Sequence, residues 1–131
     1  MNTTATVSMV ITGWEEKEYT TSGGLSLTQA DSPATFTGDL EGASTTRTLL
    51  LYPADAAPTF VALQTFEGTL HGRTGTFVLQ QTGTFADNAA HVTLAIVAGS
   101  GTGELAGISG SGGYVAPSGE PSINVELTYE L

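Results

Sequence analysis

A chain of 131 residues and 13.4 kDa supports one core, which excludes an enzyme made of separate cofactor and substrate lobes, so 1–131 is read as a single domain. Three Lys or Arg against thirteen Asp or Glu give a formal charge of -10, the wrong sign for neutralising phosphates, and nucleic acid is not expected as a partner. The absence of cysteine excludes a disulfide framework and a cysteine nucleophile, while twenty-two threonines, 40% hydrophobic and 12% charged residues describe half-buried strands.

In chain order, the opening Met1-Asn2-Thr3-Thr4-Ala5-Thr6 lacks the basic start and apolar run of a secretory signal. No window approaches the roughly 18 apolar residues of a membrane span, so a cytoplasmic protein without a membrane partner is expected. Period two then dominates. Val7, Met9 and Ile11 alternate with Thr6, Ser8 and Thr12 as far as Gly13-Trp14, where glycine permits a bend. Glu15, Glu16 and Glu18 around Lys17 read as a solvated strand end, with a general base as the functional alternative. Further strands are expected near 26–38, 43–52, 59–70, 73–86, 89–98 and 103–116, divided by turn residues such as Pro53-Ala54-Asp55, His71-Gly72 and Asp87-Asn88. The last segment is the most regular, with Ile123, Val125, Leu127, Tyr129 and Leu131 on one face and Asn124, Glu126, Thr128 and Glu130 on the other.

Connections this short cannot house crossover helices, so the all-β chain is expected to form an eight-stranded antiparallel meander. Closure into a barrel removes its exposed edges and encloses side chains or one small ligand; a two-sheet sandwich is the alternative. Seven glycines between Gly99 and Gly113 point to bulged strands in close backbone contact, with a loop-like stretch among them.

Gln64 interrupts the apolar row Phe60, Ala62, Phe66, and Gln81 interrupts Phe77, Leu79, Phe85. If both amides point inward they are either a satisfied core network or hydrogen-bonding groups that orient a ligand carbonyl; a register shifted by one residue would turn both rows to solvent. Tyr52 and Trp14 fall at strand ends, where a barrel mouth would lie, and Tyr129 reads first as a packing residue. Glu41, Glu67 and Glu104 read as rim or turn acids, and Arg73 as one half of a structural salt bridge. His71 and His91 lack any metal-binding spacing, and no metal site is expected. Gly101-Thr102-Gly103-Glu104-Leu105-Ala106 satisfies a dinucleotide fingerprint in letters only, because the glycines that follow would break the helix the fingerprint needs.

The succession Trp14-Glu15-Glu16, Phe36-Thr37-Gly38-Asp39-Leu40-Glu41-Gly42, Gly72-Arg73-Thr74-Gly75-Thr76-Phe77-Val78-Leu79-Gln80 and Gly99-Ser100-Gly101-Thr102-Gly103-Glu104-Leu105-Ala106-Gly107 resembles an uncharacterised bacterial family with an allene oxide cyclase-like barrel. The resemblance spans nearly the whole chain and implies an eight-stranded, lipocalin-like barrel with a central cavity. Barrels of this shape in plants and in bacterial natural-product pathways cyclise flexible apolar substrates without a redox cofactor.

The expected function is therefore binding of a small apolar metabolite inside the barrel, followed by cofactor-free cyclisation or isomerisation; a carrier or sensor is the alternative. Tyr52, Gln64 and Gln81 are the expected catalytic residues, and Trp14, Phe60, Phe66, Phe77, Leu79 and Tyr129 the expected substrate-binding ones. No cofactor is implied, and a homo-oligomer is compatible with the sequence.

Overall fold

The computed structural model describes residues 2–131. Nine strands follow one another: β1 (Thr3–Ile11), β2 (Glu15–Ser22), β3 (Leu25–Gly38), β4 (Leu40–Tyr52), β5 (Thr59–Leu70), β6 (Arg73–Ala86), β7 (Ala89–Ile96), β8 (Ser109–Pro117) and β9 (Ile123–Glu130). All pairings are antiparallel, in the order β1-β9-β8-β7-β6-β5-β4-β3-β2, and a further pairing of β1 with β3 closes eight of the strands into a barrel. The sandwich alternative is thereby excluded. Three hairpins turn on pairs of residues with positive φ: Gly23-Gly24, His71-Gly72 and Asp87-Asn88. Such a turn twists in the same sense as the strands it joins.

The ninth strand, β2, extends the acidic run Glu15–Glu18, expected as a solvated strand end, into a separate strand that is solvated throughout. β1 and β2 run along β3 as one interrupted strand, with Val7 to Ile11 opposite Gly38 to Ala34 and Glu15 to Ser22 opposite Asp31 to Leu25. The interruption lies beside Pro33, which has no N–H to offer a ladder. There the Thr12 N–H bonds to the Pro33 carbonyl at 2.9 Å, and Gly13 leaves room for the proline ring, which a Cβ would approach to 3.3 Å. Every residue of β2 is exposed. Its outer edge is blunted by charges and by a bulge between Glu18 and Thr20, which resists pairing with other chains.

The expected strand at 103–116 is also corrected. Residues 103–105 form a single 3₁₀ turn, and pairing begins only at Ser109. The segment before it lies beside the half of β6 that β7 leaves unpaired. Val78 N–H bonds to Ser100 Oγ at 3.0 Å, Thr102 N–H to the Thr76 carbonyl at 2.9 Å, and Thr74 N–H to Glu104 Oε1 at 3.0 Å. These bonds press Leu105 and Ile108, both at most 2% exposed, into one end of the barrel as a plug. Gly75 makes the approach possible, since a Cβ there would lie 2.1 Å from the Thr102 carbonyl oxygen.

The interior has two halves. In the plugged half Phe66 meets Phe36 edge-on and Phe77 at a tilt, at centroid distances of 5.7 and 5.1 Å, and the three pack with Leu40, Leu70 and Leu127. Each such fully buried side chain contributes about 2 kcal/mol. The other half is hollow.

Candidate functional site

The hollow half is a cavity of about 660 Å³, within the range of small-molecule pockets. It opens at the end that carries Trp14, the β6–β7 hairpin and the β8–β9 loop, and no charged side chain lines it among the described residues. Met9 and Ile11 on β1 and Ile123 on β9 give it an apolar stretch, and Phe60 on β5 and Phe85 on β6 add a ring pair with centroids 5.3 Å apart.

A polar row crosses most of the remaining strands, and strand register builds it. Ser32 on β3 faces Thr46 on β4, and Thr46 faces Gln64 on β5. Gln81 on β6 and Tyr114 on β8 continue the row around the barrel. Gln64, 1% exposed, donates from Nε2 to Ser44 Oγ at 3.0 Å and makes a long contact with Met9 Sδ; its Oε1 accepts from Gln81 Nε2 at 2.7 Å. The Gln81 amide lies near the Tyr114 hydroxyl and favours its ionised form. Burial pushes the Tyr114 phenol up to about 12, with a small opposing effect from Gln81, so it stays protonated near neutral pH and acts as a donor.

A second cluster sits at the rim. The Glu16 carboxylate accepts from Trp14 Nε1 at 2.9 Å, Thr28 Oγ1 at 2.7 Å and Tyr52 Oη at 2.5 Å. Partial burial raises the pKa of Glu16, but the bonds from Tyr52, Thr28 and Trp14 outweigh it and hold the group below its ordinary 4.5. Tyr52 is pushed up to about 12 by burial and by Glu16.

Of the residues singled out in the sequence, Gln64, Gln81, Phe60 and Trp14 line the cavity. Tyr52 does not; its hydroxyl is held by Glu16. Phe66, Phe77 and Leu79 face inward but lie below the cavity floor. Tyr129 lies at the plugged end, where its hydroxyl meets His71 Nδ1 at 2.5 Å and Asp39 Oδ2 stands 3.5 Å from His71 Nε2. The expected salt bridge of Arg73 is corrected: among the described residues Arg47 is the cation in an Arg–acid pair, 2.9 Å from Asp31 on the outer wall. Sequence reasoning missed Ser32, Thr46, Thr48 and Tyr114. The one available signal was Arg47, which must face solvent and so turns Ser44, Thr46 and Thr48 inward.

A larger hollow of about 970 Å³ lies against the outer wall beside Leu49, Val61 and Val115. It is more open and, although threonine and tyrosine hydroxyls and His91 line it, no side-chain amide does, which makes the smaller, more enclosed cavity the better ligand site. Among the described residues no group of three or more His, Cys, Asp or Glu could hold a metal, and no helix is long and apolar enough to cross a membrane.

Fold and cavity together define a closed antiparallel barrel, plugged at one end and hollow at the other. The chain belongs to the family described as "Protein of unknown function (DUF3224)", whose model matches residues 5–129. It is similar to the crystal structure of a DUF3224 protein from Shewanella oneidensis MR-1, also of unknown function, with 29% identity and a TM-score of 0.79 over 100% of this chain and 96% of that one. No curated protein matches the chain.

Proposed function

We propose that the hollow half of the barrel binds a small, largely apolar molecule and promotes its cyclisation or isomerisation without a cofactor. The observation that carries this reading is the convergence of Gln81 and Tyr114, beside the Ser32, Thr46 and Thr48 hydroxyls, on an uncharged cavity. A cavity that admits one folded conformer of a flexible substrate removes much of the entropic barrier to ring closure. A protonated phenol supported by an amide then stabilises negative charge developing on a substrate oxygen.

The cavity holds no carboxylate or imidazole among the described residues, so proton abstraction by a side chain is not part of this reading. Tyr52, expected from the sequence to polarise the substrate, is replaced in that role by Tyr114, because the Tyr52 hydroxyl already serves Glu16. The same lack of an acid or base supports the second reading, a carrier that holds its guest without reaction.

Native mass spectrometry of the protein purified from its own host is expected to show one bound metabolite per chain. With that metabolite or its precursor as substrate, Tyr114→Phe is expected to lower kcat by about 10²-fold, the effect of removing one donor to a developing oxyanion. Unchanged turnover would contradict polarisation, and binding without turnover would favour the carrier.

A further inference from the structure

The cavity's chemistry narrows its guest further, and this step rests on the reading of the hollow half as a binding site. We infer that the ligand is uncharged and carries oxygen functions along one edge, as in a medium-sized lactone, diol or hydroxyketone, and that the barrel discriminates against carboxylates.

Position of charge is the first support. Of the three cations, Arg47 lies on the outer wall with Asp31, and Arg73 starts β6 at the plugged end. Lys17 pairs with Gln29 in the ladder, on the face opposite to that of Glu16 and its neighbour Ala30. None of the three lines the cavity. A carboxylate inside would lose its water and find no counter-ion. It would also pass the Glu16 carboxylate at the rim and enter a protein of formal charge -10. An ammonium group would be drawn toward such a protein, but no anion lines the interior to receive it.

Unused hydrogen-bonding capacity is the second support. Ser32, Thr46 and Thr48 are buried residues, 4 to 6% exposed, that line the cavity. No side-chain hydrogen bond holds their hydroxyls, yet none is sealed from contact, because no buried side-chain N or O atom among the described residues lacks a partner. Their remaining accessible surface faces the hollow. Thr46 and Thr48 are two residues apart on one strand, about 7 Å, and Ser32 stands directly across from Thr46, about 5 Å away. Each hydroxyl both donates and accepts, which suits ether, hydroxyl and carbonyl oxygens. The stretch of wall made by Met9 and Ile11 on β1 and Ile123 on β9 offers only carbon and the Met9 sulfur, so the complementary guest is oxygenated where it meets β3 and β4 and bare where it meets β1 and β9.

The test is competition against N-phenyl-1-naphthylamine, an uncharged fluorophore, by a set of equal chain length at a pH where the acid is ionised: a δ-lactone, an alkane, a carboxylate and a primary ammonium. The lactone is expected to displace the probe at least about tenfold more effectively than the carboxylate, and the carboxylate to improve as pH falls and it becomes neutral. Thr46→Val with Thr48→Val, near-isosteric changes that leave the apolar core intact, is expected to weaken the lactone about five- to tenfold and leave the alkane unaffected. A carboxylate or ammonium that competes as well as the lactone would overturn the inference. So would equal loss of lactone and alkane in the valine variant. Failure of the fluorophore itself to bind would instead overturn the binding-site reading on which the inference rests.

Discussion

Gln64 and Gln81 show how a single residue type can report both on register and on purpose. Each amide breaks an apolar row, and their mutual bond of 2.7 Å, with the Gln64 bond to Ser44 beside it, explains how two buried amides are tolerated. That both belong to inward rows was legible from alternation alone. Tyr114 was not, because it stands among glycines and small residues that carry no clear periodicity. The energetic consequence is asymmetric. Gln81→Leu leaves Gln64 Oε1 without its donor and is expected to lower stability by about 1–3 kcal/mol in urea unfolding. The double variant Gln64→Leu/Gln81→Leu removes both ends of that bond, so its loss is expected to fall short of the sum of the two single losses by at least about 0.5 kcal/mol. Strict additivity would show that the two amides do not act as a pair.

Among the elements, the hairpins at His71-Gly72 and Asp87-Asn88 were readable because turn chemistry and alternation agree on both sides of them. β2 was not, since its eight residues alternate neither in polarity nor in burial; only the Gly23-Gly24 turn marks it. The plug escaped for a related reason. A glycine-rich run does not say whether close backbone approach is made by a strand or by a loop, and here a loop fastened to β6 supplies the contact through Ser100, Thr102 and Glu104. Gly75 is its weak point. Gly75→Ala drives a Cβ into the Thr102 carbonyl and is expected to cost about 1–3 kcal/mol. Hydrogen exchange should then rise first at the amides of Thr102, Leu105 and Ile108, which bond within the plug and to β6. Uniform acceleration across all strands would mean that the plug is no separate unit.

For the whole molecule, barrel closure follows from short connections and the need to hide sheet edges. Height along the barrel axis does not, because alternation sorts residues into inward and outward without saying how far down they lie. For that reason Phe60 and Phe66, in one inward row of β5, end in different halves, the first beside the cavity and the second in the packed floor. The central claim is that the hollow half receives a guest, and the protein carries its own reporter, since Trp14 is the one tryptophan and lines the mouth. The direct measurement is energy transfer from Trp14 to N-phenyl-1-naphthylamine during titration, in the native chain and in Ala116→Phe, which places a ring in the cavity wall. The account predicts saturation at about one probe per chain and its loss in the variant; a signal that never saturates, or that the added ring leaves unchanged, would contradict it.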